Sequence, residues 1–330
     1  MDALGLDIGG ANLKAAHTGG QTRSVPFALW KNPSGLTDAL RNLLATLPSA
    51  DALAVTMTGE LCDCFENKRQ GVLAILDAVQ TATKSETFRV WNNEGHLVDV
   101  TAARQSPLQI ASANWLALAT FVGRYASKGP ALLIDIGSTT TDIVPLLDGR
   151  PVPMGRTDLE RMRCWELRYT GVRRTPLCSL LAGYGAAEFF ATTLDAYLLL
   201  DLLPEDPSDC NTADGRPATK AAAELRMARM LCADLETSTR QDRLRLAKLV
   251  FSNQKLLLGG SFVEVADRLD DDPKTVIYAG EGEFLIRLAL KEQDEIPPCP
   301  AISLNLELGP DVSRAGCAYA VAKLAAESSG

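Results

Sequence analysis

Two segments of the chain combine an acid, glycine and hydrogen-bond donors at one spacing: Asp7-Ile8-Gly9-Gly10-Ala11-Asn12-Leu13-Lys14 and Asp135-Ile136-Gly137-Ser138-Thr139-Thr140-Thr141-Asp142. Each follows an apolar run, ALGLDI or ALLIDI, and leads into a second run of strand character, NLKAAH or TDIVPLL. The spacing predicts a strand–turn–strand hairpin at both places. The tip of such a hairpin offers backbone N–H groups to an anion. Gly9, Gly10 and Gly137 let the anion approach closely. Asn12, Ser138, Thr139 and Thr140 add donors, and Lys14 adds charge. Asp7 and Asp135 end their strands just before the turns. Singly, each would only cap its own glycine turn. In two facing copies they would look at each other across a cleft. Such a pair suits Mg2+, which keeps waters and phosphate oxygens among its ligands. The repeated frame favours the pair. Neither turn has G-x-G-x-x-G spacing or opens a helix, which argues against a dinucleotide fingerprint, and no G-K-[ST] ends either loop, which excludes Walker A.

Other positions carry weaker signals. Glu60 and Asp63 fall in TMTGELCDCF, just past the run ALAVTM, where α/β proteins gather their sites. Glu60 is a candidate proton acceptor, with helix capping as the alternative. Arg173 and Arg174 precede a proline in TGVRRTPL. A guanidinium there suits bidentate binding of an anion, with Arg174 preferred, and a solvated surface pair is the alternative. Gly280 and Gly282, in GEGEFL, make either a ligand-contacting turn or only a tight strand-to-helix turn, whereas Gly259 and Gly260 continue a helix. Cys62 and Cys64 form a lone C-x-C. With only His17 and His96 beside them, a zinc site is not expected. His17 and His96 read as structural, and Trp115 and Leu116 as core. Cys164, Cys178, Cys232 and Cys317 read as small core residues.

Short β-rich runs alternate with amphipathic ones, so an α/β architecture is expected. TRSVPF reads as a third strand. Ser34 is placed to cap a helix whose Leu36, Ala39, Leu40, Leu43, Leu44 and Leu47 share one face before Pro48 stops it. ALAVTM is a strand, GVLAILDAVQTAT a helix, TFRVW a strand and PLQIASANWLALATFVGRYA one long helix. From Pro130 the pattern begins again, with PVPMG as a third short strand. Helices are expected around 182–203, 218–237, 242–268, 283–292 and 311–326. PEDPSDCNTADGRPAT is a loop, and VIYAGEGEF a strand running into a turn. A length of 330 residues suggests about two domains. They are placed at 1–127 and 128–330, the second with a helical insertion at about 158–270.

Hydrophobic residues make up 46% and charged residues 22%, which excludes a disordered chain. A net charge of −8 makes nucleic acid and anionic membranes poor partners. No apolar run approaches the ~18 residues of a membrane span. The first ten residues lack the pattern of a secretory signal, and eight cysteines are too sparse for a disulfide scaffold. A cytoplasmic protein is expected, with its oligomeric state open.

GLDIGGANLKAAH and LIDIGSTTTDIVPL resemble the two phosphate motifs of the actin/sugar-kinase/Hsp70 ATPase superfamily, and within it the hydantoinase/oxoprolinase branch. TMTGELCDCFENKRQGV, ASANWLALA, YTGVRRTPLC, TADGRPAT and VIYAGEGEFLI narrow the resemblance to one smaller family. These are the tetrahydromethanopterin-linked C1-transfer pathway proteins, whose archaeal members act in methanofuran biosynthesis. The likeness covers most of the chain and is thinnest near 203–212. It implies duplicated ribonuclease-H-like domains with a cleft between them. It also implies a transferase, in which the phenol oxygen of a glutamyl-tyramine-like acceptor displaces diphosphate from a furanylmethyl diphosphate. Asp7, Asp135 and Glu60 would be catalytic, and the first two would also hold Mg2+. Gly280 and Gly282 would sit where the superfamily contacts adenosine, although the reaction needs no ATP. Two other readings stay open. One is an ATP-dependent small-molecule kinase or a hydantoinase/oxoprolinase-like ATP-coupled hydrolase. The other is a non-catalytic nucleotide-binding protein of the same pathway.

Overall fold

The computed structural model describes residues 1–83, 88–293 and 295–328. Strands β1 (Ala3–Ile8), β2 (Asn12–His17), β3 (Thr22–Pro26), β4 (Ala52–Met57), β5 (Arg89–Trp91) and β6 (Leu97–Asp99) form one sheet, in the order β3-β2-β1-β4-β5-β6. Strands β7 (Pro130–Ile136), β8 (Thr141–Leu147), β9 (Arg150–Pro151), β10 (Leu167–Arg168), β11 (Thr275–Ala279) and β12 (Ala301–Ser303) form the other, in the order β10-β8-β7-β11-β12 with β9 on β8. The expected strand TFRVW appears as β5; Thr87 lies outside the described residues.

One strand order is used twice. β1 runs antiparallel to β2 and parallel to β4, as β7 does to β8 and β11. β4 is parallel to β5, and β11 to β12. The duplication read from an eight-residue frame therefore extends over four strands of each sheet. β1 and β7 sit between neighbours with both faces covered. That is why ALGLDI and ALLIDI are nearly unbroken apolar runs and not alternating ones.

The sheets share a helical layer. One apolar cluster joins Ala3 and Ala54 of the first sheet to Leu133, Val144 and Ile277 of the second. Between them lie Leu118 and Phe121 of the helix Asn114–Val122 and Val321 of the helix Gly316–Glu327. The second of these helices presses on β1, where a Cβ on Gly5 would stand 1.9 Å from the Ala318 carbonyl oxygen. Its Cys317 is buried near enough to Asp7 and Asp135 to feel their charge, and burial first, then those carboxylates, pushes its thiol well up.

Several expected helices are altered, each for a local reason. Asn32, not Ser34, does the capping: its side chain accepts from the Gly35 N–H of the short turn Pro33–Gly35, and the helix Leu36–Leu44 follows without a side-chain cap. The long helix expected over 107–126 is broken into Pro107–Ile110 and Asn114–Val122, with Ser112 between them at φ 51°. The region 182–203 is helical only over Thr193–Leu199, started by a Thr192–Asp195 capping box. The last helix is divided into Pro310–Arg314 and Gly316–Glu327. Arg240–Ala266 and Glu283–Leu290 form as expected, with Gly259 and Gly260 inside the former. Cys317 is buried, but Cys164 and Cys178 are only partly so, and Cys232 is exposed on a turn at φ 54°, which removes it from the core.

Candidate functional site

The two hairpins match in register. Asp7 stands opposite Lys14 across β1 and β2, and Asp135 opposite Asp142 across β7 and β8. The turns close with the same bond, Gly9 N–H to the Asn12 carbonyl at 3.0 Å and Gly137 N–H to the Thr140 carbonyl at 2.9 Å. Although they come from different sheets, they share one electrostatic site. Asp7 and Lys14 of the first hairpin both act on Asp135 of the second, and Asp142 acts on Asp7.

The shared frame hides a difference in charge. Burial pushes the Asp7 carboxyl above its ordinary range, but Lys14 and a hydrogen bond from the Asn114 side chain oppose the shift. Burial pushes Asp135 up as well, to about 7, and here Asp142, Asp7 and Glu283 push the same way against Lys14 alone. Asp142 is raised by burial too, against its 2.7 Å ion pair with the buried Arg161. Two carboxylates in matching places are thus both raised by burial but face unlike cross-strand partners, a cation for Asp7 and an acid for Asp135.

Loops pin each turn from behind. At the first turn, the Thr58 and Gly59 N–H groups both donate to the Ile8 carbonyl, and the Leu29 N–H donates to Gly10 at 2.9 Å. Cys62 stands over Gly10, and Cys64 donates to the Leu29 carbonyl at 3.7 Å. Burial pushes the Cys62 thiol to about 11, so it stays protonated near neutral pH. The C-x-C pair therefore fastens loop to hairpin. At the second turn, the Val172 N–H donates to Gly137 at 3.0 Å, and the Arg173 and Arg174 N–H groups to Ser138 at 3.0 and 2.9 Å. Gly171 permits this approach, because a Cβ there would lie 2.5 Å from the Gly137 oxygen. Gly280 adopts φ +83°, and a Cβ on it would lie 2.3 Å from Asp135 Oδ1. Gly282 N–H donates to the Ile136 carbonyl at 2.9 Å. The GEGEFL turn is thus packed directly behind Asp135.

The expected residues gather, with one displaced. Gly9, Gly10, Asn12 and Lys14 lie on the first hairpin, and Gly137, Ser138, Thr139 and Thr140 on the second. The Ser138 and Thr139 hydroxyls are 3.3 Å apart. The Arg174 guanidinium makes no hydrogen bond or ion pair among the described residues and lies over the Trp30 ring, 5.4 Å from its centroid. Arg173 is instead held by Glu281 at 2.6 Å and Asp209 at 3.2 Å. Glu60 follows β4 but is 0% exposed. Its Oε1 accepts from Ser112 Oγ at 2.6 Å, Lys68 Nζ lies 3.9 Å away, and Oε2 has no partner among the described residues. Burial pushes this carboxyl up, against Ser112 and Lys68. Lys68 also pairs with Asp158 at 3.0 Å, at the start of the helix Asp158–Arg163 beyond the second hairpin.

The break at ASAN is therefore part of the site. Ser112, in the left-handed region that L-residues rarely occupy, reaches Glu60, and two residues on Asn114 reaches Asp7. The sequence carries a faint signal, since Ser and Asn interrupt an otherwise apolar helix. Replacing Ser112 with Ala should destabilise the protein by about 1–3 kcal/mol in urea unfolding, because a buried carboxylate oxygen loses its donor. Ser112→Gly, free of backbone strain at that φ, should cost less.

The residues present fit a magnesium ion. Among the described residues, Asp7 Oδ1 is buried without a hydrogen-bond partner, and Arg161 pairs with Asp142 and not with Asp135. Among the described residues no group of three or more His, Cys, Asp or Glu side chains gathers to hold a metal alone.

Paired sheets of one strand order, each presenting an acid-and-glycine hairpin to a common site, define the actin/sugar-kinase type of ATPase fold. The chain superposes on a ROK family glucokinase from Streptomyces griseus, solved with glucose and AMPPNP, with a TM-score of 0.53 at 14% identity over 99% of this chain and 100% of that one. Against a nucleotide-free acetone carboxylase chain the TM-score is 0.56 at 10% identity, over 97% of this chain and 70% of that one. At such identities the likeness is one of fold. The chain belongs to the hydantoinase/oxoprolinase family, whose model matches residues 51–296. It is 33% identical, over 97% of its own length and 96% of the relative's, to the (4-{4-[2-(gamma-L-glutamylamino)ethyl]phenoxymethyl}furan-2-yl)methanamine synthase of Methanocaldococcus jannaschii. A synthase of the same name from Methanococcus vannielii is 33% identical over 62% of this chain and 95% of that relative.

Proposed function

We propose that this chain is a transferase of methanofuran-type cofactor synthesis, acting in the cytoplasm in tetrahydromethanopterin-linked C1 metabolism. It joins a furanylmethyl diphosphate to the phenol of a glutamyl-tyramine-like acceptor. The relatives are named for an ether of this kind. The phenol oxygen attacks the furanylmethyl carbon, the bond from that carbon to the diphosphate oxygen breaks, and the electron pair leaves with diphosphate. A furanylmethyl carbon tolerates developing positive charge, so assistance belongs at the leaving group.

The observation that carries the reading is the pair of matched hairpins with unlike cross-strand partners. In the proposal the Gly9–Asn12 and Gly137–Thr140 turns bind the diphosphate oxygens through N–H and hydroxyl donors, and Lys14 and Arg174 add charge. Asp7, whose burial-driven rise Lys14 and Asn114 oppose, would hold Mg2+ together with Asp135. The ion supplies charge neutralisation for the departing diphosphate. Asp135, crowded by Asp142, takes the phenol proton on its carboxylate. In this reading Glu60, fully buried and bonded to Ser112, ties the loop after β4 to the helix break and touches no substrate.

Purified protein given Mg2+, the furan diphosphate and γ-glutamyltyramine should release diphosphate and form the ether, read by mass spectrometry. Acceptor-dependent ATP hydrolysis without ether would replace this reading with a kinase or ATP-coupled hydrolase. Tight ATP binding with no turnover would replace it with a nucleotide-responsive binding protein.

A further inference from the structure

We propose that Trp30 is the stacking platform for the furan ring of the diphosphate substrate, and that Arg174 covers its indole face until the diphosphate binds. The inference rests on the function proposed above. Trp30 follows Leu29, whose N–H is bonded to Gly10 of the first turn, and the Arg174 N–H is bonded to Ser138 of the second. The cation and the ring are thus each tethered next to a different phosphate-binding turn, and they meet across the site at 5.4 Å. Arg174 also acts on Cys62, which stands over Gly10, so its charge reaches the first turn. The adjacent arginine cannot take this part, because Glu281 and Asp209 hold it.

A partly exposed indole between the two turns, covered by a guanidinium with no carboxylate partner among the described residues, has a ready exchange open to it. Bidentate contact with a doubly charged phosphate group is stronger than a cation–π contact at a solvated site. An arriving diphosphate therefore draws Arg174 off the ring. The furan, one methylene away from the diphosphate, then lies on the freed face. The electron-rich indole also favours the positive charge that develops on the furanylmethyl carbon as diphosphate leaves.

The test uses inorganic diphosphate and a non-hydrolysable furfuryl bisphosphonate, with Mg2+, by calorimetry and tryptophan fluorescence. In the native chain the furan should add about tenfold in affinity over inorganic diphosphate. Trp30→Leu should abolish that gain and leave diphosphate affinity within about twofold, while Trp30→Phe, which keeps an aromatic face, should retain most of it. The fluorescence change on adding diphosphate should vanish in Trp30→Phe and in Arg174→Gln. If diphosphate binds the native chain but the furan gain survives Trp30→Leu, or Trp30 emission does not respond, the platform is overturned and the proposed transferase stands. If inorganic diphosphate does not bind the native chain at all, both are overturned.

Discussion

Replacing Asp135 with Asn should lower kcat/KM by about 10²–10⁴-fold and yet leave a protein that unfolds at a higher temperature at pH 8. The first effect follows if, as proposed, this carboxylate takes the phenol proton. The second follows from where that carboxylate sits. Burial first, then Asp142, raises the proton affinity of Asp135 from 3.8 to about 7 in the folded chain, whereas the unfolded chain ionises it near the ordinary value. Between about pH 4 and pH 7 the folded state therefore binds more protons than the unfolded state, and stability falls as pH rises through that window. An amide has no such dependence. Below pH 4 the two proteins should be alike. The advantage of Asp135→Asn should grow toward pH 7 and then level off, on the order of 1–3 kcal/mol once partial solvent access is allowed for. Thermal unfolding in EDTA from pH 3.5 to 8 measures it. Equal melting temperatures at pH 8, or activity within tenfold of the native enzyme, would contradict the assignment. Functional residues that cost the fold stability are a common compromise.

Lys68→Met should be the most destabilising surface-side substitution near the site, by about 2–4 kcal/mol at pH 8. Its ammonium is the cation nearest the fully buried Glu60 and the tie to Asp158 beyond the second hairpin. Without it, burial of Glu60 is opposed only by Ser112 and backbone, so the carboxyl of the folded chain rises further above its ordinary value. The sign is that of Asp135: the folded state keeps a proton that the unfolded state has lost, so the penalty grows as pH climbs above about 4.5 and is small below it. Glu60→Gln removes the charge that needs Lys68. In the double variant most of the loss should disappear, and the cycle should show coupling of about 1–3 kcal/mol. Additive losses at pH 8 would mean that Lys68 acts through Asp158 alone.

The parts of the molecule legible in its sequence are those fixed by neighbours in the chain. The Asp-Ile-Gly frame predicts both hairpins, but not their cross-strand pairing: Lys14 and Asp142, each seven positions after its aspartate, come opposite Asp7 and Asp135 only once the turns close with one geometry. The arginine pair, the glycines behind Asp135 and the strand before Glu60 were likewise legible as local punctuation. What escaped depends on distant partners. PLQIASANWLALATFV has a continuous apolar pattern, and nothing within it says that Ser112 leaves the helix for a carboxylate 52 residues away. Residues 182–192 read as helix because composition there does not reveal that Thr192 and Asp195 start the helix later. Ser34 and Asn32 are both good caps, and only the turn beginning at Pro33 decides between them. Trp30 lies in no motif; it matters because two turns from different sheets place a ring and a cation together.

The helix Gly316–Glu327 that lies against β1 has a consequence for biogenesis. As the nascent chain leaves the ribosome at about 5–20 residues per second, the strand carrying Asp7 waits for some three hundred further residues before the segment that covers it emerges. Its apolar face stays uncovered for that interval, tens of seconds by that rate. The amino-terminal sheet, which waits longest for its cover, is therefore the part of this protein expected to recruit chaperones during synthesis.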